Sequence, residues 1–277
     1  MASIGEIIFW SMIVLIFVCA GLIILLLAIA FSVSKGTVES SNPFPVGNLG
    51  EDVILECMFL SKSGSGSGSG SISGSNVLIT WEKESLTGLV YQYNNNAAQL
   101  QQQNSQFSDR VQLFTDAIAS GNASLLMRSV RTVDQGVYHC SVSAPGVSGT
   151  ASIDLRVTVY SAPNFTISKN GLIAEAPRWQ SRPNVTWLDK NGMQLNSNTQ
   201  FTSISSDIVQ VVSNLSGPLT SAEIYTCSIK NSFIQSISEV TGDGILKNSY
   251  FVTSSSPEML PLRLLSTVSF LFYFLVW

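Results

Sequence analysis

Seven residues, Asp134-Gln135-Gly136-Val137-Tyr138-His139-Cys140, restrict what this chain can become more than any others do. They join a turn to a strand in which a tyrosine stands two positions before a cysteine. Both side chains therefore fall on one face, and the phenol hydroxyl is placed to close the turn onto backbone. Upstream, Val53-Ile54-Leu55-Glu56-Cys57 alternates in the same way and sets Val53, Leu55 and Cys57 on one face. Trp81 closes a further strand beginning at Val77, and Gly88 to Tyr93 makes another. A polar connection over 94–106 leads to short strand-like runs at Arg110 to Phe114 and Ala123 to Val130. Two cysteines on inward strand faces, with a tryptophan between them in sequence, predict a Cys57–Cys140 bridge linking two sheets, with the Trp81 indole packed against it. Asp134 is expected to pair with Arg110 at the base of that sandwich.

The order Cys57, Trp81, Tyr138, Cys140 is that of an immunoglobulin-type sandwich. Ala144 to Gly149 reads as a hairpin loop, and Ala151 to Val159 alternates as the closing strand. The 83 residues between the cysteines and the extra strand after Trp81 favour the larger, variable type over 36–160. Within it, residues 62–75 are an insertion of alternating Gly and Ser, which loses much entropy on ordering and has little apolar surface to bury.

A second module, expected over 161–247, repeats the pattern with Trp187 and with Tyr225 two residues before Cys227. Its early strand has Ala174 at the place of the partner cysteine, 13 residues before Trp187. Cys227 is thus read as a buried free thiol, with pairing between chains as the alternative. The fold class is all-β: two tandem immunoglobulin-like sandwiches, a distal variable-type and a proximal constant-type. Four Asn-x-Ser/Thr acceptors, Asn122, Asn164, Asn184 and Asn214, fall inside these modules and imply a glycosylated surface.

The ends differ from the middle. From Ile7 to Phe31 the chain carries no charge, long enough to span a bilayer as a helix, while Ala28-Ile29-Ala30 suits cleavage after residue 30. Residues 1–30 are therefore either a signal peptide or a signal-anchor. Residues 248–263 read as a stalk, and 264–277 as a short membrane segment or the hydrophobic tail of a lipid-anchor signal, with Ser254 to Ser256 as its small residues. Either way the middle of the chain lies outside the cytoplasm. Charged residues are 12% of the chain and sum to −4, so there is no basic field for nucleic acid. His139 is the sole histidine, and no nucleophile, metal cluster or phosphate cradle accompanies it, so the sequence implies no enzyme, cofactor or small-molecule substrate.

Narrower segments carry a resemblance: Trp81-Glu82-Lys83-Glu84 with Gly88-Leu89-Val90, Gly121-Asn122-Ala123-Ser124-Leu125, and Glu175-Ala176-Pro177-Arg178-Trp179. In these the chain resembles the butyrophilin-like family of T-cell regulatory ligands, over nearly the whole extracellular portion. It departs from them at the Gly-Ser insertion and at Ala174. The resemblance implies a cell-surface ligand that inhibits T-cell activation by binding a protein receptor on T cells through the distal domain. A general adhesion or structural role is the alternative. Because Cys140 and Trp81 point inward, alternation turns His139, Ser141, Thr80 and Glu82 to one outer face, and Tyr91 is expected to add an aromatic anchor beside them.

Overall fold

A computed structural model of the chain describes residues 4–33, 36–60, 77–169 and 171–254. The Gly-Ser insertion and the carboxyl-terminal membrane or lipid-anchor segment lie outside the described residues. The chain divides into two compact units, Met1–Val157 and Thr158–Trp277. The leader forms one helix, α1 (Ile4–Val33), of 30 residues. Large apolar side chains along it are exposed, as at Phe9, Trp10, Phe17 and Leu26.

The first unit contains eleven strands among its described residues: β1 (Thr37–Glu39), β2 (Val46–Asn48), β3 (Val53–Leu55), β4 (Met58–Leu60), β5 (Leu78–Lys83), β6 (Tyr91–Asn94), β7 (Ala97–Ala98), β8 (Val111–Leu113), β9 (Leu125–Met127), β10 (Gly136–Ala144) and β11 (Val147–Thr158). One layer is a six-stranded sheet in the order β2-β11-β10-β5-β6-β7; the other is made of β3-β9-β8 and the β1-β4 pair. This is the variable-type sandwich. The expected polar connection after β6 is more structured than its composition suggests, since it holds β7 and a short helical turn that buries Phe107 completely.

Between the layers lie Leu55, Phe59, Ile79, Trp81, Leu125, Met127, Tyr138 and Ile153, all at most 1% exposed. Each such side chain contributes about 1.5–3 kcal/mol on burial. Cys57 and Cys140 are bonded at an S–S distance of 2.05 Å inside this core. The Trp81 indole N–H donates to the Ala123 carbonyl at 3.0 Å, so its one polar atom is satisfied. Gly121 makes the close approach that brings the strand leading to β9 against β4. Its φ is +89°, and a Cβ there would lie 2.3 Å from the Phe59 carbonyl oxygen, which excludes other residues.

At the base, the Tyr138 hydroxyl donates to the Asp134 carbonyl at 2.6 Å. Asp134 is fully buried and accepts from both Arg110 Nη atoms at 2.8 and 2.9 Å, from the Arg131 N–H at 2.8 Å and from Gln106 Nε2 at 3.0 Å. Burial alone pushes the Asp134 carboxyl up, but the hydrogen bonds from Arg110, Arg131 and Gln106 outweigh it and hold it below the usual carboxylate range.

The second unit contains β12 (Asn164–Ser168), β13 (Gly171–Gln180), β14 (Asn184–Leu188), β15 (Gln194–Leu195), β16 (Ser197–Ser203), β17 (Ile208–Ser216), β18 (Ile224–Lys230), β19 (Ile234–Thr241) and β20 (Leu246–Thr253). Its sheets are β12-β13-β17-β16 and β15-β14-β18-β19-β20. Trp187 on β14 stands opposite Cys227 on β18, its indole N–H donating to Ser213 Oγ at 3.0 Å and its ring meeting Phe165 edge-on at 6.0 Å. Strand β20 corrects the expected boundary. Residues 248–253, read as the start of a stalk, pair along β19 from Ile234↔Thr253 to Val240↔Leu246 and extend the sandwich past 247. A turn at Gly242 to Gly244 reverses the chain between the two strands, and Gly244 has the positive φ that such a reversal uses.

Because Asp134 is depressed in the folded state, its contribution is complete above the unfolded carboxylate value of about 3.9 and is lost as pH falls through the lower folded value. Asp134→Asn is expected to destabilise the first sandwich by about 3–5 kcal/mol at pH 7, by leaving Arg110 buried and unpaired. Thermal melts from pH 7 down to pH 2 check this: the difference between parent and variant should narrow only below about pH 4.

Candidate functional site

The site is built from the six-stranded sheet. Strands β5 and β10 run antiparallel with Cys140 opposite Trp81, so both point to the core and their neighbours point away. His139 is opposite Glu82, and Ser141 is opposite Thr80. The rows continue onto the flanking strands, with Gln92 beside Thr80, Thr150 beside Ser141 and Ser152 beside His139. Two rungs of outward side chains thus cross the sheet: Gln92-Thr80-Ser141-Thr150 and Glu82-His139-Ser152. The sequence reading reached the β5 and β10 members by alternation from Cys140 and Trp81. It missed Gln92, Thr150 and Ser152, which are visible only once strand register is known.

Tyr91 does not join this face. It is 7% exposed and pairs with Trp81 across β5 and β6, which turns it into the core with Tyr93. The residue the strand presents outward is Gln92. Burial also pushes the Tyr91 phenol up, with the neighbouring Tyr93 adding to it.

The outward face is polar, and Ser141, Thr150 and His139 on it are held by neighbours. Ser141 Oγ lies 2.9 Å from Thr150 Oγ1, and His139 Nε2 lies 2.9 Å from Glu84 Oε1. A depression of about 440 Å³ opens beside that contact, its lining including Glu82, Lys83, Glu84, Leu86, Leu89 and His139. A smaller one, about 190 Å³, lies at the other end of β10 between Leu78, Ser143 and Ser148. Among the described residues no three His, Cys, Asp or Glu side chains gather as a metal site.

The four acceptor asparagines are placed differently. Asn164 and Asn184 open β12 and β14 and are exposed. Asn214 lies in β17 between Ile173 and Asn198, half-buried, with its Oδ1 enclosed without a partner. Asn122 is half-buried beside β4, bridging to Met58, and its Oδ1 accepts from the Ser124 N–H at 2.8 Å. It is the sole such triplet between 36 and 160, and it belongs to the layer opposite the six-stranded sheet.

The immunoglobulin V-set domain model matches residues 41–160. V-set domain-containing T-cell activation inhibitor 1 of Homo sapiens is 32% identical over 251 residues, which are 88% of this chain and 84% of that protein. The chain belongs to this immunoglobulin-superfamily family. Its Rattus norvegicus member is 31% identical over 268 residues, 94% of this chain and 90% of that protein. The crystal structure of the human B7-H4 IgV-like domain is 31% identical, covering 44% of this chain and 96% of that one at a TM-score of 0.39. As a member of the family, the chain is a non-catalytic cell-surface membrane protein with a receptor or ligand role.

Cys227 is buried without a disulfide partner, and Ala174 on β13 is buried at 1% exposure. Burial pushes the Cys227 thiol up to about 12. Since this lies above the unfolded value of about 8.5, the folded state gains nothing below pH 8 and loses stability as pH rises from there toward 12. Iodoacetamide at pH 8 is expected to leave Cys227 unmodified in the native protein and to alkylate it after unfolding, as read by peptide mass spectrometry.

Proposed function

We propose that the chain is a coinhibitory ligand that restrains T-cell activation, docking a protein receptor on T cells through the outward face of its six-stranded sheet. The observation that carries this is the two-rung array of Gln92, Thr80, Ser141, Thr150, Glu82, His139 and Ser152, which gathers side chains of four adjacent strands on a layer free of acceptor triplets. Strands stand about 4.8 Å apart, so the array has the width of a protein contact and not of a small-molecule cleft. The depressions at its two ends suit side chains inserted by a partner, and the polar rungs between them confer register. The sign of the signal and the T-cell context come from the relatives, which are called T-cell activation inhibitors.

Display at the surface is supported by the relatives and by the charge-free ends of the sequence. The leader is the helix α1, 30 residues long. Its exposed apolar side chains suit a leader that enters lipid and is then cleaved or kept. The carboxyl end holds the chain as a single-pass span or through a lipid anchor. Phosphatidylinositol-specific lipase is expected to release the protein in the second case and to leave it on the cell, with its terminus intact, in the first.

The docking face is tested on cells displaying the full chain. His139→Asp with Glu82→Arg is expected to weaken T-cell binding at least tenfold, about 1.4 kcal/mol, and to relieve inhibition, at unchanged surface abundance. Unchanged binding, or homophilic clustering of the displaying cells in place of T-cell binding, would overturn the assignment.

A further inference from the structure

On the layer of the first sandwich away from the proposed docking face, an apolar depression of about 460 Å³ opens to solvent. That is within the roughly 300–1,000 Å³ of ligand sites. Ile54, Met58 and Phe114 are its apolar lining, with Ile54 46% and Phe114 37% exposed. Ser41 donates to a Glu56 carboxylate oxygen on the polar rim. Asn122 and Ser124 complete the lining.

We propose that the occupant is the N-linked oligosaccharide of Asn122 itself, whose first N-acetylglucosamine lies in this depression. The proposal rests on Asn122 being a used acceptor. Attachment forms a bond from Asn122 Nδ2 to C1 of the sugar, as the C1–O bond to a lipid-linked diphosphate donor breaks and the amide loses a proton. The Oδ1 is held on the Ser124 N–H, which fixes the side-chain amide and leaves Nδ2 for the glycan. Because Asn122 bridges to Met58 in antiparallel fashion, the first sugar emerges beside the Met58 side chain and within reach of Phe114. A pyranose presents an apolar C–H face, which stacks on the Phe114 ring, and an edge of hydroxyl and acetamido donors, which suits the Glu56 carboxylate. The tether makes the association intramolecular, so weak contacts suffice to hold the sugar.

The test is glycopeptide mass spectrometry on the full chain displayed by mammalian cells, with exposed Asn164 and Asn184 as internal references. A sugar held against protein is poorly reached by processing enzymes. Asn122 is therefore expected to retain a larger oligomannose fraction than the two references. Phe114→Ala is expected to lower that fraction at Asn122 at least twofold and leave the references unchanged, while Phe114→Tyr, which keeps the ring, preserves it. An occupied Asn122 processed as fully as Asn164 in the parent, or equal loss with Tyr and Ala, overturns the cradle alone. An unoccupied Asn122 overturns the acceptor reading and the cradle with it.

Discussion

The Cys57–Cys140 bridge and the Trp81 indole between the sheets set the terms for the first sandwich. Closing a loop between cysteines 83 residues apart removes about 4–5 kcal/mol of unfolded-state freedom in the chain-entropy account. The larger consequence is directional. With Cys140 and Trp81 opposite each other and both facing inward, every neighbour on β5 and β10 has its side assigned, and a slip of one residue would bury Glu82 and His139 while exposing the core. The docking face is thus the reverse side of the core and shares its specification.

The second sandwich has the same plan without the covalent link. Ala174 gives no partner to Cys227, and the inward positions of β19 include Ser236 and Ser238, both fully buried. Hydrogen bonds substitute for some of the missing apolar contact: Trp187 donates to Ser213, which also meets Thr199 Oγ1 at 2.9 Å, and Ser238 meets Ser249 at 2.9 Å. Ser236 Oγ has no hydrogen-bond partner, a cost of the kind a serine-rich core incurs. Phe165, brought against Trp187 from the strand pairing with Ala174, adds aromatic contact near the small residue.

What the chain reveals before folding is whatever a local period encodes. Tyr138 and Cys140 share a face because they are two residues apart, and the tandem all-β class follows from repeating that unit at Tyr225 and Cys227. Tyr91 was illegible because Val90 and Tyr91 are both buried, so no alternation marks the face. Its side is decided by pairing with Trp81 on another strand. Strand β20 was illegible for the opposite reason: from Leu246 to Phe251 every residue is exposed, so its composition is that of a linker. Only the hairpin with β19 makes it a strand.

That hairpin also decides where the chain leaves. Phe251 packs 4.8 Å from Tyr160, and Ser254 donates to the Asn231 carbonyl while Asn231 Nδ2 reaches Thr158 Oγ1 at 3.4 Å. Entry and exit of the second sandwich therefore lie at one end. Strand β20, eight residues and roughly 27 Å long, carries the chain back along the sandwich, so Ser254 stands beside the segment by which that sandwich begins.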